Sequence, residues 1–180
     1  MKKLAFFSSL LVTLMVVLGA CSSDDKPSPG QETVTYDLVS SGISVNTNTT
    51  ALTINLEKSL TDVLVTNKDK ASYVKEAQTQ QGCSLKIEGQ GFQTSKSLGS
   101  VTINLMDGQK VANKYNVNLN SVNDSSGLTD TSVDCLNFLA SVASRLATKK
   151  SISLQIVFTG GDQNVTDLTV TMTTKATFSW

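Results

Sequence analysis

Ile152-Ser153-Leu154-Gln155-Ile156-Val157-Phe158 places an apolar residue at every second position, with Ser153 and Gln155 in the gaps. Successive side chains of an extended chain point to opposite faces, so this stretch reads as a strand with one face on a core and the other towards water. The same period recurs through the chain: Val34, Tyr36, Leu38; Leu52, Ile54, Leu56; Val101, Ile103, Leu105; Tyr115, Val117, Leu119; Leu168, Val170, Met172. Thr53, Asn55, Thr102, Asn104, Asn116, Asn118, Thr169 and Thr171 occupy alternate positions. One-sided strands of this kind belong to antiparallel sheets; strands buried on both faces read as unbroken apolar runs. The expected fold is mainly β, an antiparallel β-sandwich-like single domain. Ile43–Val45, Val63–Val65 and Leu85–Ile87 are shorter candidate strands.

Turn chemistry suggests which strands are neighbours. Met106-Asp107-Gly108-Gln109 separates two alternating runs, and Asp-Gly points to a two-residue hairpin loop. A loop centred on Asp107-Gly108 sets Leu105 opposite Lys110, which mixes the faces. An odd-numbered loop pairs Leu105 with Val111 and Val101 with Tyr115, with Gly108 at positive φ, and is the expected register. Gly160-Gly161-Asp162 suggests a second hairpin, joining Ile152–Phe158 to Leu168–Met172.

One segment leaves the period of two. Between Thr131 and Thr148, Val133, Leu136, Leu139, Ala140, Ala143, Leu146 and Ala147 recur at helical spacing, and Cys135, Phe138 and Val142 widen that face. Asp134, Asn137, Ser141, Ser144, Arg145 and Thr148 share the opposite arc. The spacing predicts a packed amphipathic helix over about 131–148, capped by Thr131 or Asp130, lying across a sheet or plugging one end of a sandwich. Its polar face carries Arg145 alone among cations, which argues against a membrane-surface helix. A second short helix around Asp69–Gln78 has weaker support.

The N-terminal segment has a different composition. Met1-Lys2-Lys3 is followed by an apolar run from Leu4 to Leu18 and then by Gly19-Ala20-Cys21, the layout of a secretory signal peptide. With cysteine after the small residues it resembles the lipobox of bacterial lipoproteins. That resemblance implies cleavage before Cys21, with the Cys21 thiol carrying diacylglycerol and its amine an acyl chain. Ser22-Ser23-Asp24-Asp25 resembles the acidic export signal of surface-exposed lipoproteins of the Bacteroidota, which implies a lipid-anchored protein on the outer membrane, facing outward. Two acyl chains already give stable anchoring. Residues 1–20 are thus expected to be a signal peptide, 21–32 a lipidated flexible tether holding both prolines (Pro27, Pro29), and 33–180 the β-rich domain.

Removing residues 1–20 takes Lys2 and Lys3 from 15 cations and leaves 13 against 15 acids, a net charge of −2. With one arginine and no basic stripe, nucleic acid is not an expected partner. A mature chain of about 160 residues can bury one real core. Cys83 and Cys135 remain after Cys21 is assigned to lipid; in an exported protein they are a possible disulfide, or else two buried thiols.

The chain has no histidine, which removes His-based triads and imidazole metal sites. No nucleophile elbow or phosphate loop is present either, so no catalytic residue, cofactor or metal is assigned. Glu57 and Glu88 are the acids a carboxylate-dependent glycan hydrolase would use, and solvated surface charges otherwise. Asp124, Asp130 and Asp162 lie in loops without calcium-loop spacing, and the Asn-x-Ser/Thr triplets at Asn48, Asn123 and Asn164 read as incidental. The expected role is a binding or structural accessory module without catalytic activity, meeting a glycan or protein partner. The alternatives are a lipocalin-like carrier of a small apolar ligand and the hydrolase.

Overall fold

The computed structural model describes residues 27–48, 50–92, 99–119 and 127–180, so Cys21, Asn123 and Asp124 lie outside the described residues. The domain is mainly β and its strands form two antiparallel sheets, as the alternation implies. In the first sheet, β10 (Val165–Ser179) is the central strand. Along one edge it pairs with β1 (Gln31–Val39) and β2 (Ile43–Val45). Along the other it pairs with β4 (Glu76–Thr79) and β5 (Ser84–Gln90), and β8 (Leu128–Asp130) adds to β5. The second sheet has the order β3 (Leu52–Ser59), β9 (Ser151–Thr159), β6 (Ser100–Asp107), β7 (Lys110–Asn118).

Inward side chains of both sheets build one core. Val34, Tyr36, Leu85, Ile87, Val170, Met172 and Phe178 from the first sheet join Val101, Ile103, Leu154, Ile156 and Phe158 from the second. The helix α2 (Val133–Lys149) touches strands of both sheets and buries Cys135, Phe138, Leu139, Val142, Ala143, Leu146 and Ala147. Its inward face is therefore centred on the residues that widened the apolar arc. Val133 and Leu136 are exposed instead, because the first turn projects past the core. Ser132, one residue later than expected, is the N-cap and accepts from the Cys135 amide at 3.3 Å.

Pairing departs from expectation in three places. β9 and β10 do not form a hairpin: Gly160-Gly161-Asp162 carries the chain from one sheet to the other, where the long β10 finds β1 and β5. The β6–β7 turn is a two-residue loop, Gly108-Gln109, with Asp107 opposite Lys110 and Gly108 at φ 60. A bulge between Val111 and Asn113 then shifts the register, giving Ile103 opposite Tyr115 and Val101 opposite Val117. That keeps apolar facing apolar, two residues away from the expected register, and leaves Val111 exposed. The third departure is the region after β3. Val63–Val65 is no strand; the short α1 (Leu60–Val63) is followed by a 3₁₀ helix, Lys68–Tyr73, and then by β4 in place of a helix to Gln78. A further bulge at Asp167 (φ 52) lets Val165 and Leu168, three residues apart, both point inward.

The two ends of the described domain are strapped together, and β1 starts at Gln31, two residues before the expected boundary at 33. Gly30 N–H donates to Trp180 O (3.1 Å) and Trp180 N–H to Gly30 O (3.0 Å), with the indole ring against Gly30. At the same end, Lys150 takes the left-handed conformation that closes α2, and its Nζ donates to the carbonyls of Val74 and Ala147. Glu32 on β1 accepts from the amides of Val65 (2.8 Å), Thr66 (3.0 Å) and Asn67 (2.9 Å), and from Asn67 Nδ2 (2.9 Å). Burial works to raise the Glu32 carboxyl, but these donors outweigh it and hold it below its ordinary value. Glu32→Gln is expected to cost about 1–2 kcal/mol at pH 7, after allowance for partial solvent screening. A depressed folded value stabilises above the unfolded pKa of about 4.3 and is lost as pH falls through the folded one. The gap between wild type and variant in denaturant melts should hold above about pH 5 and shrink below about pH 4.

The bridge that the sequence allows between Cys83 and Cys135 is not formed; both are buried free thiols. Each sulfur is engaged locally instead. Cys83 Sγ donates to Gln80 O (3.3 Å) and accepts from the Lys175 amide (3.3 Å), while Cys135 Sγ is directed at Asp130 O (3.5 Å). Burial, then the nearby Asp130 charge, pushes the Cys135 thiol up to about 11. Both thiols should alkylate quantitatively in unfolded, unreduced protein, and Cys135→Ala should cost no more than about 1–2 kcal/mol. A Cys83–Cys135 cross-linked peptide in non-reducing mass spectrometry would contradict the unbridged state.

Candidate functional site

Two open cavities meet at Arg145. The first, of about 560 Å³, lies where β3 ends, β9 begins and the β6–β7 turn approaches the C-terminal turn of α2. Glu57, Lys58, Asp107, Arg145, Lys149 and Ser153 supply most of its polar lining. Local sequence explains its shape. β3 stops at Ser59, which caps α1 through a reciprocal box: the Asp62 amide donates to Ser59 Oγ (3.3 Å), and Ser59 N–H and Oγ–H donate to Asp62 Oδ2 (3.4 and 2.6 Å). Those bonds from Ser59 hold the Asp62 carboxyl below its ordinary value.

Arg145 crosses the gap between helix and hairpin. Its Nη2 lies 2.5 Å from Asp107 Oδ1, and only 18% of its side chain is exposed. The second cavity, about 520 Å³, continues past it between Ala140, Ser141, Ser144 and Thr148 of α2 and Ala112 and Asn113 of β7. Small side chains on both walls keep this groove open. Ser141 Oγ and Thr148 Oγ1 donate back to the carbonyls of Asn137 and Ser144 (both 3.0 Å), so their lone pairs face the groove as acceptors. The groove thus offers hydroxyls, an amide and charges of both signs, a lining suited to a polar chain held by hydrogen bonds.

The acids considered for hydrolysis are not brought together. Glu57 borders the groove, whereas Glu88 sits on β5 of the other sheet, ion-paired with Lys86 at 2.7 Å. Among the described residues no group of three or more His, Cys, Asp or Glu could hold a metal. Asp130 serves as a joint: Tyr115 Oη donates to Asp130 Oδ2, and the Ser132 amide donates to Asp130 Oδ1 (2.8 Å), tying β7, β8 and the start of α2 together. Burial, then that bond, pushes the Tyr115 hydroxyl up to about 12. Asn164 Oδ1 accepts from the Thr47 amide (3.2 Å), and Asn48 N–H donates to Asn46 Oδ1 (2.9 Å).

The Thr- and Asn-rich outer faces largely satisfy themselves, as in Thr102 with Asn116 (2.9 Å), Thr33 with Thr177 (2.8 Å) and Thr173 with Asp37 (2.7 Å). The sequence puts Arg145 on the polar arc of α2, but its pairing with Asp107 is not legible there. The one available signal was a lone arginine among small polar residues. No described helix is long and apolar enough to cross a membrane.

No protein-family model matches the chain, and no curated protein matches it. Among solved structures, the chain is similar to that titled as a decameric BFDV capsid protein, with 13% identity, a TM-score of 0.40, and coverage of 84% of this chain and 99% of that one. It also resembles one titled as the infectious bursal disease virus Gx strain, with 14% identity, a TM-score of 0.25, and coverage of 85% of this chain and 36% of that one.

Proposed function

We infer that the chain is a lipid-anchored accessory module of a bacterial outer membrane, held through Cys21 and facing outward, that binds a glycan or protein chain without chemical turnover. The observation that carries the binding role is the open polar groove centred on Arg145. Its carboxylates give hydrolysis little support: Asp107 is ion-paired with Arg145, Asp62 is bonded to Ser59, and Glu57 has no Glu88 beside it, since that acid lies on the other sheet. The carrier alternative has less support, because the sandwich interior is filled by packed side chains.

The test places a photo-reactive residue at Ser144, exposed on the groove wall, and irradiates intact cells. A discrete adduct is expected from Ser144, and Cys21→Ser should abolish it by releasing the protein from the membrane. An adduct from Thr171 on the outer face of the first sheet, with none from Ser144, would contradict the groove.

A further inference from the structure

We propose that the end of the domain carrying α1, the 3₁₀ helix and the last turn of α2 docks on the lipid surface that holds the anchor, with Lys58, Lys68, Lys75 and Lys149 receiving headgroup phosphates. This rests on the anchored reading above and adds an orientation and a second contact: Lys58 and Lys149 turn the first cavity towards the lipid, and the partner keeps access to the second cavity along Ala140, Ser141 and Ser144. The first support is where the chain leaves the fold. The strap between Gly30 and Trp180 fixes the exit point at this end, and nine residue steps separate Gly30 from Cys21. Even fully extended they reach about 30 Å, so this end cannot move far from the bilayer.

The second support is charge. Residues 30–32, 57–76, 106–110, 145–151 and 177–180 form this end and hold eight cations against six acids, while the other described residues hold three against six. Lys58, Lys68, Lys75 and Lys149 make no ion pair among the described residues. Of the six acids at this end, Glu32 is held by loop amides, Asp62 by Ser59, Asp69 by Lys70 and Asp107 by Arg145, while Glu57 and Glu76 make no ion pair among the described residues and are outnumbered two to one by these four lysines. Asp24, Asp25 and Lys26 of the tether add a net −1 and leave the end positive. Basic groups held close to a bilayer are attracted to anionic headgroups over about a Debye length.

The third support is apolar. Val65, just after α1, is 72% exposed, and Tyr73, the last residue of the 3₁₀ helix, is 38% exposed. An exposed ring and aliphatic group among lysines suit the interfacial zone, where amphipathic side chains settle.

Trp180, the one tryptophan of the chain, lies at this end and reports the docking directly. Mature protein is reconstituted in phosphatidylcholine vesicles with and without phosphatidylglycerol, each carrying a headgroup-attached quencher. Trp180 quenching is expected to be roughly twofold stronger in the anionic vesicles and to fall to the neutral level in high salt. Joint replacement of Lys58, Lys68, Lys75 and Lys149 by Gln should remove the difference, whereas replacing Lys86, Lys114 and Lys175 should not; thermal melts establish that both variants fold. Equal quenching in the two vesicle types, or a difference that survives the four substitutions, overturns docking while leaving the anchor in place. Wild-type protein that carries no acyl group and stays off the vesicles overturns both readings.

Discussion

Ile156→Asp is expected to leave no folded domain under native conditions. Ile156 lies at the centre of the second sheet, paired with Ile54 on one side and Ile103 on the other, and has no exposed surface. A carboxylate there loses its hydration and finds no cation, a cost of several kcal/mol against a total stability of about 5–15 kcal/mol for a typical domain. The neighbouring position provides the control. Gln155 points to the outer face between Asn55 and Asn104 and accepts from Asn104 Nδ2 at 3.4 Å. Gln155→Asp keeps an acceptor in place and should change stability by less than about 0.5 kcal/mol. Circular dichroism and urea melts of the two variants decide the matter; equal effects would mean that the facing of β9 is wrong.

The second large effect comes from backbone packing. Gly99 precedes β6 at φ +94, and a Cβ there would fall 1.9 Å from Thr159 O and 2.8 Å from the carbonyl carbon of Gly160. Those neighbours are main chain at the end of β9 and cannot rotate aside. Gly99→Ala must therefore part β6 from β9 at that end as well as hold alanine in a left-handed conformation, for about 3 kcal/mol or more. Gly82 has a similar φ of +102 but nothing within 4 Å of an added Cβ. Gly82→Ala should show the conformational cost alone, about 1–2 kcal/mol. Matching losses at the two sites in denaturant melts would show that the close approach of β6 to β9 at Gly99 is not real.

The strands were readable because a half-buried strand writes its facing into every second residue. Ile152–Phe158, Val101–Leu105 and Leu52–Leu56 each appear as expected, and so does the helix α2, although its core face is centred on Cys135, Phe138 and Val142 and leaves Val133 and Leu136 exposed. Partner choice was not readable. The Gly160-Gly161-Asp162 loop has hairpin chemistry, yet β10 pairs with β1, more than a hundred residues earlier in the chain. Nothing local encodes that choice, which follows from filling both edges of one long strand. The bulges at Ala112 and Asp167 were hidden for a related reason: each is an extra residue whose need arises only once the neighbouring register is set.

The same holds for the groove. Arg145 and Asp107 are 38 positions apart, on a helix and a turn that meet only through the packing of α2 against both sheets. Serines and alanines at 140, 141 and 144 look like an ordinary solvated helix face; opposite Ala112 and Asn113 they become one wall of a cleft. The cysteines illustrate the limit as well. Cys83 and Cys135 are both buried as a pair would be, but their sulfurs are directed to separate carbonyls.

The proposed display of the domain on a membrane depends on one covalent modification, at Cys21. Mass spectrometry of the N-terminal peptide of protein purified from membranes tests it most directly. The mature chain is expected to begin at Cys21, with diacylglycerol on the thiol and an acyl chain on the amine. A peptide that retains residues 1–20, or one that begins at Cys21 with an unmodified thiol, would contradict it.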